Sequence, residues 1–244
     1  MDVKNRVVVI TGASERIGRL IALKLAQLGA IIVIHYYKDE LEAFKTVELI
    51  KQYGGSSNAI QADLTTMLGV NTLVVNTLKL HNRWDVLINC ASIFKTVAID
   101  DVDEELWDKD HFIHAKAPFF LAKALYLHKK EREEEGVVIN LTDTQVYKSS
   151  FTRPSYNLSK MALHDQVQVL GKSLAPFIRV NSVAPGAIIP SHPNEKAYFD
   201  SLKERLPLKR LATGEDVVDA VLFLIKNESI TGVSVVVDAG QTLL

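Results

Sequence analysis

The chain has 244 residues, of which 48 % are apolar, and carries a formal net charge of −1. That is enough apolar material for one substantial core, and the balanced charge argues against nucleic acid or anionic lipid as a partner. The single cysteine, Cys90, excludes an intrachain disulfide and any multi-cysteine metal centre, and no metal is expected. The N-terminal residues lack a signal layout, and no apolar run approaches the roughly 20 residues of a membrane span. A soluble cytoplasmic protein is the expectation. With no linker-like stretch and no fixed-period repeat, one domain over 1–244 is expected.

Short apolar runs alternate with longer segments of helical period. Val7–Ile10 reads as the first strand, and Ile17, Leu20, Ile21, Leu25 and Leu28 then share one helical face. Ile31–Ile34 is the second strand, followed by a helix from about Asp39 to Tyr53 that Gly54-Gly55 stops. Asp39 and Glu42 have the spacing of a capping box. A strand near Asn58–Gln61, a helix near Thr66–His81 and the strand Val86–Ile88 come next. A long helix from Asp103 to Glu135 follows, open to division at Pro118, with 129–135 read as a solvated end. Val137–Ile139, a helix over Pro154–Ala175, the strand Ile178–Val183, a helix over Gly214–Ile225 and the strand Ser234–Asp238 complete the chain. Between the last two strands, Ser191–Pro207 is expected to hold a mobile helix over the substrate.

Fully apolar strands interleaved with helices predict an α/β, Rossmann-like, doubly wound parallel sheet of about seven strands. Ligands bind such a sheet beyond the carboxyl ends of its strands. Every chemical motif of the chain falls in those loops.

Thr11-Gly12-Ala13-Ser14-Glu15-Arg16-Ile17-Gly18 joins the first strand to the first helix. Gly12 permits a tight turn, Gly18 permits close helix–sheet packing, and the helix N-terminus suits a pyrophosphate. Arg16 stands where glycine is common; a cation there opposes the helix dipole, which favours an anion-binding role over a solvated one. The second strand ends in His35-Tyr36-Tyr37-Lys38 without the carboxylate that usually accepts ribose hydroxyls. Lys38 suits a 2′-phosphate, so NADPH is expected over NADH.

Ser155-Tyr156-Asn157-Leu158-Ser159-Lys160 puts Tyr156 and Lys160 on one helical face. An unperturbed tyrosine has a pKa near 10, and a nearby ammonium eases its ionisation.

With these residues in place, the chain resembles the short-chain dehydrogenase/reductases over its whole length. The carrying residues are the TGASERIG turn, Asp63, Asn89-Cys90-Ala91-Ser92, Tyr156 with Lys160, and Asn181-Ser182-Val183-Ala184-Pro185-Gly186. The cofactor contacts that the turn, the second-strand end and the resemblance together imply are Gly12, Ser14, Arg16, Ile17, Gly18, Tyr37, Lys38, Asp63, Leu64, Asn89, Ala91, Lys160, Pro185, Gly186 and Ile188. Two positions depart from the family pattern. Asp143 stands where a serine is usual, and His114 where an asparagine is common. These, with Arg16 and Phe94, resemble the pteridine reductases, and the histidine is similar to that of bacterial dihydromonapterin/dihydrofolate reductases.

The resemblance implies a catalytic group of Asp143, Tyr156 and Lys160, and a substrate site of Arg16, Ser92, Phe94, Asp143 and Tyr156, with Phe94 stacked on a pterin. A carboxylate beside Tyr156 disfavours the phenolate and so favours C=N reduction over alcohol oxidation. The expected reaction is NADPH-dependent reduction of a dihydropterin (dihydromonapterin or dihydrofolate, with dihydrobiopterin an alternative). A carbonyl or 3-oxoacyl reductase and a non-enzymatic NADPH sensor are the rival readings. Phe94 as ordinary core remains open. So do three roles for His114: satisfied core residue, water-positioning asparagine substitute and proton relay. Cys90 is read as a small buried residue, and a homotetramer is implied by the resemblance alone.

Overall fold

The computed structural model describes residues 1–148, 152–189 and 196–244. Seven parallel strands form one sheet in the order β3-β2-β1-β4-β5-β6-β7. They are β1 (Val7–Ile10), β2 (Ile31–Tyr36), β3 (Ser56–Gln61), β4 (Val86–Asn89), β5 (Gly136–Leu141), β6 (Ile178–Pro185) and β7 (Ser234–Val237). β1, β4 and β5 are buried at every residue because helices cover both faces of the sheet centre.

Alternation along β1 divides the core in two. Val8 and Ile10 pack with α1 (Arg16–Gln27), α2 (Glu40–Gln52) and α8 (Gly214–Lys226). Val7 and Val9 face the opposite layer, built from α3 (Met67–His81), α5 (Ala117–Glu131) and α6 (Pro154–Ser173). The order reverses between β1 and β4, which opens a crevice at their carboxyl ends.

Most differences from the sequence reading lie at element ends, where tertiary pairing decides. β3 starts two residues earlier than expected, at Ser56, because Ser56 and Ser57 pair in register with Ile31 and Ile32. The long central helix is α4 (Glu104–His111) and α5, joined by a π turn over Phe112–Lys116. Pro118 has no N–H for the carbonyl of His114, four residues back, and the widened turn lies just before it.

Two sequence readings are corrected. Asp39 does precede α2, but its side chain makes no cap bond. Glu42 is drawn elsewhere, to Arg19 at 2.7 Å and Lys45 at 2.5 Å. Lys129 is not solvated: it is fully buried and pairs with buried Asp85 at 2.8 Å and with Glu134 at 2.6 Å. Asp85 also accepts from Arg83 at 2.6 Å and from the Val7 N–H at 2.9 Å. Burial opposes its charge, but Arg83, Lys129 and that N–H together hold its carboxyl below the usual range.

Part of the segment expected to cover the substrate, 191–195, lies outside the described residues. Its remainder forms α7 (Lys196–Arg205), seated through Leu202 and Leu206 near Ala239. No helix among the described residues is long and apolar enough to cross a membrane.

Candidate active site

The first βα turn is shaped by steric necessity. Gly12 has φ +64°, and a Cβ there would lie 2.9 Å from Ala91 Cα. A Cβ on Gly18 would lie 2.3 Å from the Gly12 carbonyl oxygen. Arg16 adopts φ +53°, a left-handed conformation that glycine takes without cost and that costs other residues of order 1 kcal/mol. That is the structural counterpart of an arginine at a position where glycine is common. Its Nη2 donates to the Ile189 carbonyl at 2.9 Å, linking the first loop to the one after β6.

Three residues that the sequence reading passed over brace this turn. Thr11 Oγ1 accepts the N–H groups of Cys90 and Ala91 at 2.9 and 3.0 Å. His35 Nδ1 accepts the Gly12 N–H at 3.1 Å, so its Nε2 carries the proton and donates to the Ala62 carbonyl at 3.0 Å. Burial lowers the His35 pKa to about 4 and keeps the ring neutral. Arg19 donates to the Ser14 carbonyl and to Thr46 Oγ1, the latter at 2.8 Å. The apolar run Ile31–Ile34 marked β2 as strand, but nothing in it distinguished a buried histidine at its end that bonds a loop from one that only fills space.

At the other end of the crevice, Tyr37 and Lys38 are exposed, with Lys38 Nζ 5.1 Å from the Tyr37 ring centre. Asp63 accepts from Thr65 N–H and Oγ1 at 2.9 and 2.7 Å, and Leu64 beside it is buried. Asn89 Nδ2 donates to Asn140 at 2.8 Å, while its Oδ1 is buried with no hydrogen-bond partner. These features fit a dinucleotide: a glycine turn with no room for Cβ atoms, a helix whose N-cap Glu15 gives no side-chain bond, and an unsatisfied acceptor at the end of β4. Pro185 at the end of β6, and Gly186 and Ile188 in the loop after it, are half-buried, and Gly186 packs against Asp238 and Gln241.

The catalytic candidates converge across β5 and α6. Tyr156 Oη donates to Asp143 Oδ2 at 2.7 Å, and Asp143 Oδ1 accepts the Gln145 N–H at 2.8 Å. Burial and then the Asp143 carboxylate push the Tyr156 phenol well above its usual value. Lys160 is buried, its Nζ donating to the Leu141 carbonyl at 2.8 Å and lying 5.9 Å from the Tyr156 ring centre. Burial lowers its pKa. Of the two opposing influences read from the sequence, the carboxylate prevails: the phenol is held as an acid.

Phe94 is 44 % exposed, so it is not core. Its ring meets Tyr156 edge-on at 5.0 Å. Ser92 is exposed, and its hydroxyl lies 2.9 Å from His114 Nε2. His114 Nε2 also accepts the Ile93 N–H at 3.2 Å, so Nδ1 holds the proton and donates to Ser159 Oγ at 2.8 Å. Ser159 Oγ in turn donates to the Tyr156 carbonyl at 2.7 Å. Burial, with Lys160 nearby, keeps His114 neutral. Of the three roles left open, the geometry matches a satisfied histidine that ties the Ser92 loop to the helix bearing Tyr156. Burial pushes the Cys90 thiol up to about 11, leaving it unsuited to act as a nucleophile.

A sheet switch point, with a tyrosine and a lysine one helical turn apart beside it, points to a hydride-transfer enzyme class. A family model described as enoyl-(acyl carrier protein) reductase matches residues 12–242. The human protein named dehydrogenase/reductase SDR family member 4 is 33 % identical, over 97 % of this chain and 87 % of its own. The structure of FolM alternative dihydrofolate reductase 1 from Brucella canis, complexed with NADP, superposes with a TM-score of 0.92 at 33 % identity, covering 100 % of this chain and 97 % of that one. The angucycline C-6 ketoreductase LanV with bound NADP gives 0.90 at 27 % identity, covering 100 % and 98 %. The chain belongs to the short-chain dehydrogenase/reductase family and is an NAD(P)-dependent oxidoreductase.

Proposed function

We propose that the protein is a single-domain, NADPH-dependent reductase of a dihydropterin, dihydromonapterin or dihydrofolate first among them. The observation that carries the reading is the 2.7 Å bond from Tyr156 to Asp143 beside an exposed aromatic ring, Phe94. Bound NADPH supplies a hydride. The residues of this chain have the complementary task of holding a flat heterocycle and delivering one proton.

Phe94 offers a face for stacking, and Ser92 and Arg16 offer donors at the same mouth. Tyr156, buried and hydrogen-bonded to a carboxylate, keeps its proton until an acceptor arrives. A ring nitrogen that gains negative character as its C=N carbon is reduced is such an acceptor. That nitrogen takes the phenol proton to become N–H, and the buried Lys160 ammonium offsets the phenolate left behind. A carboxylate beside the phenol makes the reverse role, tyrosinate as base toward an alcohol, unfavourable. The likeness to FolM at 33 % identity supports the pterin reading.

Lys38 at the end of β2 and Arg16 in the first turn supply the positive charge that a 2′-phosphate requires, and the two NADP-bound neighbours agree with that choice. We also propose a homotetramer joined through α5 and α6, on which Phe119, Leu127, Leu158 and Val169 are exposed.

The test is NADPH consumption with dihydromonapterin, dihydrofolate, dihydrobiopterin, simple ketones and a 3-oxoacyl thioester. Turnover of a dihydropterin is expected, with NADH a poorer donor. Turnover confined to ketones or thioesters would place the protein with the carbonyl reductases, as the LanV likeness allows. No turnover with any of them would favour a sensor.

A further inference from the structure

The reaction proposed above leaves one cation at its mouth without a task. Arg153 precedes α6 and makes no side-chain cap bond. Its guanidinium carbon lies 4.1 Å from the centre of the Phe94 ring. Residues three apart at a helix start share a face, and Arg153 is close enough to Tyr156 to bear on its charge. Yet Arg153 joins none of the salt bridges among the described residues. Its Nε is buried and has no hydrogen-bond partner there. Asp143, the acid of this site, accepts from Tyr156 and Gln145 and forms no ion pair with Arg153.

A guanidinium stacked on an aromatic ring keeps its in-plane N–H groups for a second ligand. The stack also fixes the fork's direction, so little side-chain freedom remains to be lost on binding. The loop carrying Phe94 is held to this spot independently: the Val97 N–H donates to the Thr152 carbonyl at 3.2 Å. Ring and cation are thereby both anchored at the start of α6.

We infer that Arg153 is a specificity-determining residue that receives a carboxylate on the substrate, beyond the ring that is reduced. The inference rests on the pterin reading and sharpens it: the favoured substrate is a dihydropterin with an acidic side chain, such as dihydrofolate, over one with a neutral hydroxyalkyl chain. Phe94 holds the flat ring system, and the guanidinium forks onto the acid of the tail. Charge-assisted, bidentate pairing of this kind is strong enough to separate the two substrates by about tenfold or more in affinity.

Steady-state KM and kcat are measured for dihydrofolate and for dihydromonapterin with the wild type, Arg153→Gln and Arg153→Lys. The ratio of the KM for dihydrofolate to that for dihydromonapterin should rise about tenfold in Arg153→Gln, with kcat changing far less, and fall back partway in Arg153→Lys. In the wild type that ratio should also rise with ionic strength, a dependence that Arg153→Gln flattens. If both KM values rise together, Arg153 merely supports the Phe94 loop and the inference is overturned. A wild type that reduces dihydromonapterin but not dihydrofolate overturns it too, while leaving the pterin reading intact. A wild type that reduces neither pterin overturns both.

Discussion

The Tyr156 hydroxyl donates to Asp143 across 2.7 Å, so the group proposed to release a proton is bonded to a carboxylate that, together with burial, resists its ionisation. Tyr156→Phe should lower kcat by about 100- to 10,000-fold, the usual worth of a positioned acid, while NADP⁺ still raises the melting temperature. Asp143→Asn removes the charge that holds the phenol up, so the alkaline limb of its pH–rate profile should move to lower pH. Asp143→Ser should depress dihydropterin turnover; preserved or improved ketone turnover in the same variant would support the carbonyl reductase reading instead.

His114 tests whether a clamp far from any titration matters for substrate. Replacing it by leucine leaves the Ile93 N–H without its acceptor, a loss of about 1–3 kcal/mol for a buried group left unpaired. The Phe94 loop loosens as a result, so the pterin KM should rise more than the NADPH KM. His114→Asn retains a donor and an acceptor and should recover part of the loss. A proton-relay role would instead show as a kcat effect with KM unchanged.

Acid should unfold the phosphate turn's support. His35 has a folded pKa of about 4 against an ordinary value of 6.5. The unfolded chain therefore takes up a proton first, and stability falls as pH drops from about 6.5 to about 4. The shift corresponds to about 3 kcal/mol at most, and denaturant midpoints across that window measure it. His35→Gln should flatten the slope there, and His114, also lowered by burial, accounts for part of what remains.

At the opposite end of the sheet, Lys129→Met leaves Asp85 in the interior with Arg83 and Arg6 as its charged partners. With both guanidiniums still in place, losing the Lys129 bond costs about 1.5–3 kcal/mol, read as a fall in melting temperature. Lys129→Met with Asp85→Leu should lose less than the sum of the single changes.

Gly12→Ala places a methyl carbon 2.9 Å from Ala91 Cα at a backbone φ of +64°. Nucleotide affinity should fall by at least tenfold, with far-UV circular dichroism unchanged; calorimetric titration with NADP⁺ decides.

The strand and helix sequence was legible because the sheet interior demands apolar runs such as Val7–Ile10 and Val137–Ile139, each bounded by polar punctuation. Ends were harder. Ser56 and Ser57 carry no strand signal of their own, and only the neighbouring Ile31 and Ile32 recruit them. Tyr156 and Lys160 were readable from their spacing and their place after β5, and Asp143 through the resemblance, standing where the family usually has a serine. Thr11, His35 and Arg153 were not, because each acts through contacts separated in sequence or through an unremarkable residue type in an unusual setting. Lys129 misled for the same reason: in a run of seven charged residues, nothing local marks the one that turns inward toward Asp85.

The bond from Arg16 to the Ile189 carbonyl makes one side chain common to both rims of the crevice. A residue with two obligations resists being tuned for either. Altering position 16 to change nucleotide preference will also reshape the entrance used by the second reactant. Redesign of cofactor choice in this chain is better begun at Lys38, where a change can be made beyond β2 without disturbing that entrance.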